Sequence, residues 1–111
     1  TGVLRKKEDF QKLRSMGRST GCRYAVLVCL KNGLDYNRKA FLASKKVGNS
    51  VVRHRFARLV RESFRLNKDI LEEGKDIIVV ARAAAKDKNF DKIESAFLHL
   101  CGLHNILKES K

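Results

Sequence analysis

Across residues 45–65 and just beyond, the apolar and basic positions separate at helical spacing. At about 100° per residue, Val52, Phe56, Leu59, Val60, Ser63 and Asn67 share one sector, while His54, Arg58, Arg61, Arg65 and Lys68 fall opposite. The basic positions step by four, three, four and three, which stacks their side chains along one flank of a rod of roughly 28 Å. One flank is fit to be buried and the other to meet phosphate. Gly48-Asn49-Ser50 precedes the pattern and offers Asn49 or Ser50 as the N-cap.

The remaining pattern supplies the elements around that helix. Residues 8–16 read as a short helix, with acids in the first turn, Phe10 and Leu13 on one side and Gly17 as a C-terminal cap. Residues 22–30 are β-branched and apolar enough for a strand, and Asn32-Gly33 signals a hairpin whose loop is lengthened by residues 34–37. Residues 38–46 alternate Lys39, Phe41, Ala43 and Lys45 against Ala40, Leu42, Ser44 and Lys46, and are expected to pair antiparallel with the first strand. The long helix is expected to fray over 67–74. Residues 76–82 carry Ile77, Ile78, Val79, Val80 and Ala81, a run that predicts a strand covered on both faces. Phe90, Ile93, Ala96, Phe97, Leu100, His104 and Leu107 recur at helical spacing and close the chain. The order is αββαβα, an α+β sandwich with helices on a small mixed sheet. With no Pro, no repeat and no Gly/Ser linker, residues 1–111 are expected to form a single domain.

Charge changes the picture from fold to partner. The 111 residues carry a net charge of +13 with 43% hydrophobic residues, which describes a folded globule that repels itself unless a polyanion offsets it. Residues 1–68 hold 18 Lys and Arg against 4 Asp and Glu, whereas residues 69–111 hold 7 against 8. That asymmetry assigns the binding surface to the first two thirds and scaffold to the rest. Three cysteines without CxxC spacing point to a reducing, cytoplasmic setting. No apolar run approaches the roughly 20 residues that span a bilayer, and no signal peptide opens the chain. The chain does not begin with Met, so its native N-terminus is expected to lie upstream.

Each candidate site has a plainer explanation to displace. A solvated charged face mixes signs, but residues 45–65 contain only Glu62 as counter-charge, so salt bridging does not account for the basic flank. Phe56, Phe90 and Phe97 are expected in the core. Phe10, among Arg5, Lys6, Lys7, Lys12 and Arg14, and Phe41, on a basic strand, are candidates for stacking single-stranded RNA, with plain packing as the alternative. His99 and His104 lack an acid spaced to orient them and are expected to be partly packed helix residues. No HExxH, P-loop or GxGxxG motif occurs, so no catalytic or metal-binding residue is assigned. Cys22, Cys29 and Cys101 read as buried small hydrophobes.

The stretch Lys45-Lys46-Val47-Gly48-Asn49-Ser50-Val51-Val52-Arg53-His54-Arg55, followed by Arg58, Arg61-Glu62 and Phe64-Arg65, resembles the signature of the protein subunit of bacterial ribonuclease P, and Lys7-Glu8-Asp9-Phe10 resembles that family's first helix. The resemblance implies a partner in place of a catalyst. In the family, the RNA subunit performs Mg²⁺-dependent hydrolysis at the 5′ end of precursor tRNA, and the protein alone is expected to be inactive. It also implies docking on the catalytic RNA by Lys45, Lys46, Asn49, Arg53, His54, Arg55, Arg58, Arg61, Arg65 and Lys68, and holding of the precursor-tRNA leader by Phe10, Lys12, Arg14 and Phe41. No organic cofactor, small-molecule substrate or membrane is expected.

Three departures stand out: His54 replaces the usual Asn, Ala57 the usual Lys, and aromatics usual near Arg14 and Val28 are missing. The resemblance further implies a left-handed crossover, where general stereochemistry predicts a right-handed one. The rival readings are a ribosomal or other RNA-scaffold protein without a processing role, and a protein endonuclease built on His99 and His104.

Overall fold

A computed structural model of the chain describes residues 2–108. The elements in order are β1 (Gly2–Val3), α1 (Lys7–Met16), β2 (Arg18–Gly21), β3 (Ala25–Lys31), β4 (Arg38–Leu42), α2 (Ser50–Leu66), β5 (Lys75–Ala81) and α3 (Phe90–Leu103). Single 3₁₀ turns at Lys68–Ile70 and Ala83–Ala85 join the last elements. The sheet runs β1-β4-β5-β3-β2, with β1–β4 and β4–β5 parallel and β5–β3 and β3–β2 antiparallel.

Two sequence expectations are corrected here. β3 and β4 are not hairpin partners, because β5 inserts between them and pairs with both. β5 buries Ile77, Ile78 and Val79 on its two faces, so it belongs at the sheet centre, and the long loop after Lys31 lets β4 pass beyond it. Residues 18–21, to which the sequence pattern assigns no element, form β2 against β3. Their side chains stay largely exposed, so the strand is held by its ladder with β3 and not by burial of its own residues. The last helix stops at Leu103, because Asn105 takes φ 56° and turns the chain so that Leu107 bridges to Leu71.

L-chirality fixes the sense of the β4–α2–β5 connection. Lys39 reaches toward α2, its Nζ 4.7 Å from the Phe64 ring centroid, while its carbonyl accepts from the Leu4 N–H at 2.9 Å on the β1 side. In a strand of L-residues running upward and viewed from the side-chain face, the carbonyl points right. β1 therefore lies to the right of β4 and β5 to its left, with α2 in front. The crossover is left-handed, against the sense of about 98% of such units and as the family resemblance implies.

The two sheet faces are covered unequally. Against α2 and α3, Leu27, Ile77 and Val79 meet Phe56, Val60, Phe64, Phe97 and Leu100 in the larger core. On the other face α1 alone covers the sheet, burying Leu13 against Ile78, with Phe10, Val28, Ala40 and Val80 partly exposed. Gly17 is required by space, since a Cβ there would sit 2.4 Å from the Leu13 carbonyl oxygen and 2.8 Å from Val28. Its φ of −72° leaves the αL cap expected from sequence unused.

His104 locks α3 to β2 and β3: its Nε2 lies 3.0 Å from the Leu27 carbonyl and 2.6 Å from Thr20 Oγ1. A carbonyl only accepts, so Nε2 carries the proton in the neutral ring. Burial holds the imidazole pKa below its ordinary value, and the nearby Arg18 adds to this against the opposing Leu27 bond. A depressed folded pKa means that the unfolded chain takes up the proton first, so stability is complete above about pH 6.5 and falls as pH drops below it. Thermal unfolding between pH 7.5 and 5 is expected to show a declining midpoint, with the part owed to this ring abolished in His104→Gln.

Candidate nucleic-acid interface

The basic helix forms as its pattern dictates. The Asn49 side chain accepts from the Val52 N–H at 3.1 Å, which caps the first turn. Phe56, Val60, Ser63 and Phe64 are buried, with the Ser63 hydroxyl donating to the Leu59 carbonyl. On the opposite flank His54, Arg58, Arg61, Arg65 and Lys68 are exposed, and Lys45 and Lys46 lie exposed in the turn before the helix. Arg53 and Arg55 sit half-buried at the margins. Glu62 pairs with Arg65 one turn on, and that hydrogen bond lowers the Glu62 pKa and raises that of Arg65. Among the described residues no ion pair engages Arg53, Arg55, Arg58 or Arg61.

Three grooves run together along this flank. One of about 520 Å³ is lined by Val51, His54, Arg55, Arg58 and Arg61. A second of about 250 Å³ lies between the end of β4 and α2, bounded by Phe41, Leu42, Arg53, His54 and Ala57. Inside it the Arg53 Nε is buried without a hydrogen-bond partner, an unmet donor of a kind folded proteins rarely leave. A third of about 310 Å³ contains Val3, Phe10, Lys39, Phe41 and Arg61. Shared residues make the surface continuous: His54 and Ala57 join the first two grooves, Phe41 joins the second to the third, and Arg61 the third to the first.

The leader candidates divide between the two faces of the sheet. Phe10 packs with the α1-side cluster and Phe41 with the α2-side core, yet both reach the same groove, because β1 pairs only with Arg38 and Lys39 and leaves the edge of β4 open beyond them. Arg14 follows Phe10 by four residues and shares its side of α1. Lys12 is exposed and turned about 100° from the buried Leu13, away from the groove.

Lys39 was missed by sequence reasoning. Its ammonium lies over Phe64, and burial, with the Arg61 charge, lowers its pKa. The alternation of β4, which puts it on the same side as Phe41, was the available signal.

One network sets where α1 sits. Buried Asp76 accepts from Arg38 Nε at 2.8 Å and Nη2 at 2.6 Å, and from Asn32 at 3.0 Å. The same guanidinium reaches Asp9 of α1 at 3.4 Å, beside Phe10. Asp9→Asn is expected to loosen α1 with a loss of about 0.5–1 kcal/mol, the range for a half-exposed pair, seen as a modest drop in unfolding free energy and faster amide exchange in α1.

The other chemical candidates resolve as structure. His104 is bonded inside the fold while His99 is exposed on α3, so the two do not form an acid–base pair. Cys29 and Cys101 are buried, which pushes their thiols up to about 11 and about 12. Cys22 is half-buried, a correction to its assignment as a core residue. Phe90 is likewise only half-buried. No helix of the described residues is long and apolar enough to cross a membrane.

A mixed sheet backed by helices, with an uncompensated cationic flank running into an aromatic-lined groove, defines an RNA-binding accessory protein. The model of the family Ribonuclease P matches residues 1–104, and the chain belongs to that family. The ribonuclease P protein component of Lachnoclostridium phytofermentans is 47% identical over 97% of this chain and 93% of its own length. That of Clostridioides difficile is 40% identical over 90% and 89%. Among solved structures, the RNase P protein of Staphylococcus aureus superposes with a TM-score of 0.89 at 32% identity, covering 97% of this chain and 99% of the other. That of Thermotoga maritima gives 0.83 at 31%, covering 91% and 96%. Members of this family are the protein part of a ribonucleoprotein whose RNA carries catalysis, so the chain is a partner of ribonuclease P RNA. Nothing in these matches supports a scaffold protein without a processing role.

Proposed function

We propose that the chain, acting as one RNA-binding unit, docks on ribonuclease P RNA through the outward flank of α2 and holds the 5′ leader of precursor tRNA in the groove between Phe10 and Phe41. The observation that supports this best is the continuity of the three grooves, which share Arg61, His54 and Phe41. Arg58 and Arg61 serve as phosphate clamps, Lys45, Lys46, Arg55, Arg65 and Lys68 extend the field, and Asn49 orients the helix start. Arg53, half-buried at the margin of the helix, adds its charge to the second groove. Phe10 supplies a stacking face, Arg14 and Lys39 the neighbouring charge, and Lys12 a longer-range attraction. Because His54 and Ala57 replace the family's usual Asn and Lys, docking rests more on the arginines here.

Mg²⁺ belongs to the RNA subunit in this scheme. It supplies the Lewis acid and activated water for phosphodiester hydrolysis. Among the described residues no group of three or more His, Cys, Asp or Glu is arranged to hold a metal ion. The chain acts on the ion indirectly, by neutralising phosphate repulsion where substrate and RNA meet. A cytoplasmic location follows from a precursor-tRNA substrate and free thiols.

Cleavage of precursor tRNA by protein alone, RNA alone and both together tests the scheme. The expected result is product from RNA at high Mg²⁺ and from the pair at low Mg²⁺, with a larger gain for substrates carrying a leader. Metal-dependent cleavage by protein alone, or equal gains for precursor and mature tRNA binding, overturns it.

A further inference from the structure

A second cationic groove lies on the α2–α3 side of the sheet, toward the β2 edge and away from α2's basic flank. It encloses about 270 Å³ between the β2–β3 turn and α3, with Arg23, Tyr24, Lys92, Ser95 and His99 in its walls. Lys88 places its Nζ 5.6 Å from the Tyr24 ring centroid. The Arg82 N–H donates to the Tyr24 carbonyl at 2.9 Å, and its guanidinium lies against Gly21, where an added methyl would sit 3.0 Å from Nη2. Arg23, Arg82, Lys92 and His99 are exposed, and Tyr24 and Lys88 half-buried.

These cations are uncompensated. The ion pairs among the described residues join Arg38 to Asp9 and Asp76, and Arg65 to Glu62, and none engages Arg23, Arg82, Lys88 or Lys92. On α3 the wall residues Lys92, Ser95, Ala96 and His99 follow i, i+3, i+4 and i+7 spacing. The acids Asp91 and Glu94 fall outside that stripe, and Glu94 accepts a hydrogen bond from Asn67 on the α2 side. Cations without ion-pair partners gathered at one groove and its surroundings repel each other, a cost that a polyanion offsets. The ring narrows the choice: a duplex hides its base faces, whereas a single strand offers them for stacking beside its phosphates.

We infer that this groove is a second RNA site, which takes a single-stranded segment by stacking a base on Tyr24 and holding its phosphates with Arg23, Lys92 and Arg82. In the order β4-β5-β3-β2, β4 and β2 are three strand spacings apart, about 14 Å, with α2 packed over β4 and α3 over β3 and β2. RNA seated on α2 therefore leaves this groove open. The protein holds two RNA segments at once, one on each side, and the second need not be a tRNA precursor.

The test uses the complex of full-length protein with ribonuclease P RNA, saturated with precursor tRNA in Ca²⁺ to slow cleavage, and a fluorescent ten-nucleotide oligoadenylate as probe. The probe is expected to bind the saturated complex. Arg23→Gln with Lys92→Gln is expected to weaken it at least tenfold and lower its salt slope by about 1.4, the value for two single-strand phosphates. Tyr24→Ala is expected to weaken it about tenfold or more, the range for removing one base stack, while Tyr24→Phe keeps it. Precursor cleavage in Mg²⁺ is expected to be unchanged in all of these variants. Absence of probe binding to the saturated complex, equal binding by the variants, or equal competition by an oligoglutamate of the same length would each overturn the assignment.

Discussion

An Arg58→Ala, Arg61→Ala double variant is expected to bind ribonuclease P RNA about 100-fold more weakly than the parent, with the slope of log K against log salt reduced by roughly 1.4–1.8. Both side chains are exposed and without an ion-pair partner among the described residues, so neither contributes a structural bond that its removal would break. Each phosphate that no longer meets a cation takes about 0.7–0.9 off the slope. A tenfold weakening for each arginine is 1.4 kcal/mol, near the lower end for a charge-assisted hydrogen bond. Alanine keeps helix propensity, and removing two neighbouring like charges relieves repulsion, so the unfolding free energy should hold within about 0.5 kcal/mol. Filter binding across a salt series decides the matter. An unchanged slope would show that these guanidinium groups do not meet phosphate.

The second large effect has the opposite signature. Phe64→Ala is expected to lower unfolding free energy by about 3–5 kcal/mol, a large share of the roughly 5–15 kcal/mol that holds a domain of this size, and to drop the thermal midpoint by more than about 10 °C. Phe64 is 2% exposed, tilts 45° against Phe97 at 5.8 Å, and carries the Lys39 ammonium over its ring. Truncation opens a cavity at the junction of α2, α3 and β4 and strips Lys39 of its cation–π partner, which is worth about 0.5–2 kcal/mol. RNA affinity measured well below the midpoint, with the slope against salt, should change far less than in the arginine variant. A collapse of the slope with stability intact would mean that this ring serves RNA and not the core.

Local periodicity carried the sequence reading a long way. α2 was legible to within a residue because its burial and charge repeat on one helical period, and Asn49 marked its start. That β5 is covered on both faces followed from an unbroken apolar run. Where reading along the chain failed, the missing information was long-range. β3 and β4 were expected to pair because a hairpin is the nearest partner, but β5, more than forty residues later, outcompetes it for both edges. β2 has no apolar alternation of its own and exists because β3 offers an edge. For the candidate site, Arg58, Arg61 and Arg65 were named from spacing, and Arg53 and Arg55 from the family resemblance. Lys39, whose importance comes from lying under Arg61 and over Phe64, was not.

By itself the amino-acid sequence determined the helix that faces RNA, the sign and placement of most of its charge, and the family, since each is written in neighbouring residues at fixed spacing. Tertiary structure alone decided the strand order, the left-handed passage from β4 to β5 and the opening of the β4 edge where Phe10 and Phe41 meet. It also decided that Arg23 and Lys92 share a groove with Tyr24 and that Lys88 lies over that ring, although the last third of the chain is almost neutral by count. Net charge sums over a segment without regard to direction, whereas a surface potential depends on which side chains the fold turns to the same side.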